Sequence, residues 1–80
     1  MNKKHNGAKS HWSENIKRLR NFFHMTQSDF ARIMNTTQST ISKWENGEIE
    51  PCIRDLITLS VVFGITVDEL LNCRNPLPKT

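Results

Sequence analysis

The residues between Gln38 and Asn46 combine amide, hydroxyl and ammonium groups at helical spacing. At about 100° per residue, one arc of a helix would carry Gln38, Ser39, Ser42, Lys43 and Asn46. A separate arc holds Thr37, Thr40, Ile41 and Trp44, of which the isoleucine and the indole can anchor the helix to a core. Amide and ammonium groups hydrogen-bond base edges in the DNA major groove. The polar arc therefore predicts a surface that reads a DNA groove.

A second helix must hold this surface, and the preceding residues predict one. Thr26 and Asp29 have the spacing of a capping box at its start. Asn35 tolerates the left-handed conformation that would end it, and Thr37 is a suitable N-cap for the next helix. Two helices separated by so few residues cannot run antiparallel, so we expect them to cross steeply, as in a helix-turn-helix.

Three further helices are predicted around this pair. Ser13 is the expected N-cap of the first, whose buried stripe is Ile16, Leu19 and Phe23, with core packing also favoured for Phe22. Pro51 lies near the start of the fourth, and Gly64 ends it. Its apolar stripe comprises Ile53, Leu56, Ile57, Leu59, Ser60 and Phe63. Thr66 and Glu69 form the capping box of a short last helix with Val67, Leu70 and Leu71 on its apolar face.

These signals place five helices at about residues 13–24, 27–34, 38–45, 52–63 and 67–72. Because no strand pattern or repeat accompanies them, we predict an all-α fold, a compact five-helix bundle over residues 13–72. Residues 1–12 carry too little apolar surface to order themselves, which predicts a flexible basic arm. Residues 73–80 are predicted to be a disordered tail.

The net charge of +3 is unevenly distributed along the 80 residues. Residues 1–12 and 13–43 each carry +3, residues 44–71 carry −5, and Arg74 and Lys79 add +2. A positive front half would orient the molecule toward a polyanion through one side. Charge alone leaves an ordinary solvated surface as the alternative.

The sequence lacks the residues that several classes of function require. Two cysteines are too few for a disulfide scaffold, and His5, His11, His24, Cys52 and Cys73 lack metal-ligand spacing. No catalytic triad or nucleophile elbow is present, so we expect no enzyme activity, metal or cofactor. We also expect no membrane partner and a cytoplasmic location, because no apolar run could span a bilayer or serve as a secretory signal.

The segment from Ile16 to Leu71, 56 of the 80 residues, resembles the helix-turn-helix domain of phage repressors and Cro proteins, the XRE-type family of bacterial regulators. The resemblance rests on an ordered set of residues: Leu19, Arg20, Thr26, Gln27, Ala31, Thr37, Ile41 to Gly47, Pro51, Leu56, Leu59, Gly64 and Asp68 to Leu70. His24 and Asn35 depart from it, since glycine is usual at both positions. The resemblance implies five helices with the third in the major groove.

The resemblance also implies roles for individual residues. Base contacts would come from Gln38, Ser39, Ser42 and Lys43. Gln27 and Asn46 would bind phosphate, and we assign Thr37 and Arg18 to phosphate as well. Arg20 and Glu45 would form an internal ion pair between the first and third helices.

We therefore expect sequence-specific binding to double-stranded DNA by a transcriptional regulator, in the manner of a bacterial or phage repressor. A homodimer would read two half-sites, with Val67 and Leu71 as the candidate dimer contact, and no small-molecule ligand is expected. The alternative is a protein-interaction module or antitoxin on the same fold. In that case Phe22, Phe23 or the last helix would make the contact, and DNA binding would be secondary.

Overall fold

The computed structural model describes residues 11–76 and residue 78. These residues form five helices: α1 (His11–Phe22), α2 (Gln27–Ile33), α3 (Gln38–Glu45), α4 (Ile53–Phe63) and α5 (Val67–Asn72). No strand occurs in this part of the chain, so the predicted all-α five-helix fold is confirmed. The longest of these helices has 12 residues, well below the ~20 that a membrane crossing requires.

Local capping explains why α2, α3 and α5 begin where the sequence predicts. Both predicted capping boxes are present, Thr26 with Asp29 and Thr66 with Glu69. The Thr37 hydroxyl oxygen accepts the backbone N–H of Thr40 at 3.2 Å. These caps satisfy N–H groups that have no partner within their helix, which fixes the first residue of each helix.

The core lies where α1 packs against α3 and α5, α2 against α3, and α4 against α5. Its fully buried side chains come from every helix and include Ile16, Phe30, Ile41, Leu59, Phe63 and Leu70. The Phe63 ring stacks on Phe30 and Phe23, with centroid distances of 5.4 and 5.9 Å. This contact joins α4 to α2 and to the end of α1.

α1 begins at His11, two residues before the predicted start, so the prediction of Ser13 as its N-cap is wrong. Trp12 is buried in the core, and Ser13 is fully buried inside the first turn. The predicted flexible arm therefore does not include residues 11 and 12, and residues 1–10 lie outside the described residues. α1 ends at Phe22, and His24 adopts a left-handed φ of 58° in place of the usual glycine.

The segment after α5 contacts α1, although residues 73–76 belong to the tail that the sequence predicts to be disordered; residues 77, 79 and 80 of that tail lie outside the described residues. Asn15 is fully buried and donates both amide hydrogens, to the Leu70 and Cys73 carbonyl oxygens, each at 2.8 Å. Those carbonyls belong to the end of α5, where helical partners are missing. Pro76 is also buried.

The predicted core stripe of α4 is only partly correct. Leu59 and Phe63 are fully buried and Leu56 packs against the core. Ile53 and Ile57 are instead 74% and 57% exposed, and Val61 is 76% exposed. Phe22 also differs from the prediction of core packing, because 57% of its surface is exposed.

Candidate nucleic-acid interface

α3 carries the four predicted base-reading residues on one surface. Ile41 and Trp44 anchor the helix in the core, so the opposite face must point outward. Gln38, Ser39 and Lys43 are exposed and Ser42 is half-buried, and together they line a shallow groove. Amide, hydroxyl and ammonium groups on one exposed helix face can form hydrogen bonds with base edges.

Arg20 and Glu45 join α1 to α3 just behind this surface. The guanidinium donates two parallel hydrogen bonds to the carboxylate, Nε to Oε2 at 2.6 Å and Nη2 to Oε1 at 3.1 Å. Arg20 Nη1 also donates to the Met25 carbonyl oxygen at 2.7 Å. Both side chains are shielded from water, at 11% and 3% exposure. Two-point geometry of this kind restricts the rotation of α3 relative to α1.

A chain of amide hydrogen bonds extends from this ion pair to the exposed face of α3. Gln27 Nε2 donates to Glu45 Oε1 at 3.1 Å, and Gln38 Nε2 donates to Gln27 Oε1 at 3.2 Å. The Ser28 hydroxyl then donates to Gln38 Oε1 at 3.4 Å. Gln38 is thus held from α2 by partners on both sides of its amide.

The four predicted phosphate-binding residues are placed differently from one another. Thr37 and Asn46 are exposed at the two ends of α3. The Gln27 amide is bonded to Glu45 and Gln38, which leaves one Nε2 hydrogen for another acceptor. Arg18 Nη1 is directed to the C-terminal segment, where it donates to the Arg74 carbonyl oxygen at 3.2 Å.

Two residues near the site were missed by the sequence reasoning. Gly47 takes a φ of 75°, and this turn lets the Glu48 N–H donate to the Lys43 carbonyl oxygen at 2.8 Å. Glu48 therefore lies in the same groove as the base-reading residues. Ser28 reaches Gln38 from α2. The Asn46-Gly47 pair indicates in the sequence that a helix ends there. Only the structure shows that the chain then turns back to contact α3 through Glu48.

The Asp29 carboxylate, in the first turn of α2, accepts hydrogen bonds from two neighbouring groups. Arg32 donates to the Asp29 carboxylate at 2.6 Å, and Thr26 donates from its backbone at 3.3 Å. The hydrogen bonds from Arg32 and Thr26 hold the pKa of Asp29 below its ordinary value of 3.8. Among the residues that the structure describes, no cluster of His, Cys, Asp and Glu could hold a metal ion.

Comparison with known proteins decides the family. The family model described as "Helix-turn-helix" matches residues 16–70. The chain belongs to the XRE-type helix-turn-helix family. It is 34% identical over 61 residues to the HTH-type transcriptional activator BcrR of Enterococcus faecalis, a match that covers 76% of this chain and 30% of the relative. The chain thus spans under a third of that regulator's length.

Solved structures of this fold include both a regulator and an enzyme. The P22 c2 repressor protein, solved in complex with a synthetic operator, matches with a TM-score of 0.72 and 28% identity over 76% of this chain and 92% of that chain. Hydroxypropylphosphonic acid epoxidase from S. wedmorenis matches with a TM-score of 0.70 and 27% identity, over 81% of this chain but only 35% of the enzyme. The same fold therefore also occurs as one part of a longer protein.

Proposed function

We propose that the chain binds double-stranded DNA as a sequence-specific transcriptional regulator, with α3 in the major groove. The observation that carries this proposal is the chain of hydrogen bonds from Arg20 through Glu45 and Gln27 to Gln38. A surface glutamine that contacts only water would gain nothing from hydrogen bonds that hold its side chain in one conformation. A glutamine that hydrogen-bonds an adenine through both amide atoms gains affinity from this restraint, because less side-chain entropy is lost on binding.

The remaining residues of the surface have complementary roles in the proposal. Lys43 is the one cation in the groove formed with Gln38, Ser39, Ser42 and Glu48, so it would donate to guanine acceptors. Thr37, Asn46 and the free Nε2 hydrogen of Gln27 would contact phosphate at either end of α3. Arg18 contributes mainly through long-range attraction, because one of its nitrogens is engaged by the C-terminal segment.

We further propose that the chain reads DNA as a homodimer, with repression as its regulatory outcome. The match to the operator-bound P22 c2 repressor supports repression. Two symmetry-related α3 helices would read half-sites about 10 bp apart. A DNA ligand also implies a cytoplasmic location. We propose no enzyme activity for this chain, because its relative BcrR is a transcriptional activator and members of this family are usually regulators without catalytic activity.

Selection of bound sites from random duplex DNA tests the proposal. The purified full chain would be used at a fixed ionic strength of about 100 mM, because phosphate contacts make affinity steeply salt-dependent. We expect enrichment of dyad-symmetric sites with half-sites one helical turn apart. A bound pool with no sequence enrichment would contradict base reading.

One observation favours protein interaction as a second candidate function. Phe22 is 57% exposed and meets Phe23 edge-on at a centroid distance of 5.3 Å. An antitoxin or adaptor could use this ring against a protein partner. Stable co-purification with a partner that Phe22→Ser abolishes, together with no salt-dependent retention on DNA, would favour this candidate over the first.

A further inference from the structure

Glu48 is an acidic side chain on the surface that faces DNA in the proposed function. It is exposed and lines the groove on α3 together with Gln38, Ser39, Ser42 and Lys43. The phosphates of DNA repel a carboxylate, so an acid at this surface lowers affinity unless a base donates a hydrogen bond to it. Phosphate binding therefore does not explain why an acidic residue occupies this position.

The end of α3 fixes the backbone of Glu48 beside that of Lys43. After the C-cap residue Asn46, Gly47 adopts a φ of 75°, and its N–H donates to the Trp44 carbonyl oxygen at 3.1 Å. The Glu48 N–H donates to the Lys43 carbonyl oxygen at 2.8 Å. These two hydrogen bonds are those of a Schellman motif, which ends a helix through backbone groups. The motif therefore uses no atom of the Glu48 or Lys43 side chain.

Neither charged side chain is engaged by a protein partner among the residues that the structure describes. Both ion pairs in this part of the chain lie elsewhere, at Glu45 and at Asp29. Lys43 and Glu48 are thus not paired with each other, although their backbones are joined. The groove therefore presents a cationic donor and an anionic acceptor side by side, and each is available to a ligand.

We propose that the Glu48 carboxylate accepts a hydrogen bond from the N4 amino group of a cytosine, within one base pair of the guanine that Lys43 contacts. In the major groove, a G·C pair presents the acceptors O6 and N7 of guanine and the N4 donor of cytosine. The Lys43 ammonium and the Glu48 carboxylate are the complementary donor and acceptor. This inference rests on the proposed function and assigns a role to the acidic residue of the same site.

Cytosine suits this acceptor better than the other three bases do. Guanine and thymine present acceptors but no donor in the major groove, and acceptors repel a carboxylate. Adenine has an amino group at N6, but its N7 acceptor lies beside that group and would face the carboxylate. The amide of Gln38 can donate to N7, whereas a carboxylate cannot. Glu48 therefore adds a preference for cytosine to a surface whose glutamine suits adenine.

A cytosine analogue without the amino group tests this contact on a site selected from random duplex DNA. Each cytosine is replaced in turn by deoxyzebularine, which still pairs with guanine but has hydrogen in place of the amino group. At one position in each half-site, the natural chain should lose affinity about tenfold or more, because the hydrogen bond involves a charged acceptor. Glu48→Ala should show no loss at that position. Repulsion by phosphate cancels in this comparison, because it is the same for both duplexes.

Glu48→Gln and Glu50→Ala are the matched variants. Glu48→Gln removes the charge but keeps an acceptor oxygen, so its loss on the analogue should still be about threefold or more. Glu50 is exposed in the same loop but lines a different cavity, with Trp12 and Leu71. Glu50→Ala should therefore respond to the analogue as the natural chain does. Thermal unfolding of all three variants should be unchanged, because the substituted side chains are exposed.

Several results would overturn the role of Glu48 while leaving base reading by α3 intact. In one, the natural chain keeps its sequence preference but tolerates the analogue at every cytosine. In another, Glu48→Ala and Glu48→Gln bind every duplex more tightly and keep the natural response to the analogue, as they would if Glu48 only repelled phosphate. A sensitive cytosine more than one base pair from the position where Lys43→Ala loses discrimination would also overturn it. Failure of the proposed function looks different, because the natural chain would then show no preference among duplex sequences, and both proposals would be overturned.

Discussion

Removal of either partner of the Arg20–Glu45 pair should be among the most damaging single changes in the molecule. Glu45→Leu leaves the Arg20 guanidinium, 11% exposed, without its carboxylate. An unpaired buried charge costs about 3–5 kcal/mol. A domain of this size has a total unfolding free energy of about 4–12 kcal/mol. The variant should therefore lose about 12 °C or more in melting temperature, at roughly 4–8 °C per kcal/mol.

The double variant Arg20→Met with Glu45→Leu shows whether the two charges act as a buried pair or contribute independently to the free energy of unfolding. Replacing both charges removes the unpaired ion, so the double variant should be more stable than additivity predicts by about 2–3 kcal/mol. It should still be less stable than the natural chain, because the Met25 carbonyl and the Gln27 amide lose a partner, at about 1 kcal/mol each.

Urea unfolding followed by tryptophan fluorescence measures these energies, since Trp12 and Trp44 are both buried. Leu and Met approximate the volumes of the side chains they replace, which limits new cavities. Single variants that cost less than about 1 kcal/mol would match an exposed pair and would refute the reasoning. Strictly additive energies would refute it as well.

Three more predictions concern the supports of the site. Gln27→Ala should relax specificity at the base that Gln38 reads by about 1–3 kcal/mol in a binding titration, because Gln38 loses its acceptor. Asn15→Leu should lower the unfolding free energy by about 2–4 kcal/mol in urea, since two carbonyls lose their donor. The lowered pKa of Asp29 means that its carboxylate stabilises the fold above pH 3.8 and that this contribution is lost as the pH falls further. The difference in melting temperature between the natural chain and Asp29→Asn should therefore shrink below that pH. A constant difference in melting temperature, unchanged stability of Asn15→Leu, or unchanged base preference of Gln27→Ala beyond the uniform loss of its phosphate contact would contradict the respective interpretation.

Local chemistry explains which parts of the fold could be predicted. Thr37 and the Thr66–Glu69 capping box act within four residues of the helix starts they fix, so α3 and α5 begin where the sequence indicates. Asn35 has a φ of 57°, a local preference of asparagine that the sequence also reveals.

Distant contacts explain what could not be predicted. α1 includes His11 because Trp12 enters the core, and the segment after α5 contacts α1 because Asn15 binds carbonyls 55 and 58 residues away. In α4 the apolar positions cover more than one face, and periodicity cannot tell which of those faces another helix will cover.

Some features of the candidate site could likewise be predicted from local sequence, and others depend on distant contacts. Helical spacing alone places Gln38, Ser42 and Lys43 on one face. The hydrogen bonds through Gln27 to Glu45 depend on the angle at which α2 crosses α3, which no local signal encodes. The arrival of Glu48 beside Lys43 likewise depends on how the chain leaves Gly47.

The central claim is that the exposed face of α3 reads bases. The most direct measurement compares the natural chain with Lys43→Ala on a panel of every single-base variant of the selected site, at one fixed salt concentration. Lys43→Ala should lose about 1–3 kcal/mol of discrimination at one base pair per half-site and keep its preference elsewhere. Arg74→Ala removes one charge while keeping the backbone carbonyl that binds Arg18, so it should weaken all sites alike, if at all. Identical base preferences for Lys43→Ala and the natural chain would contradict the claim.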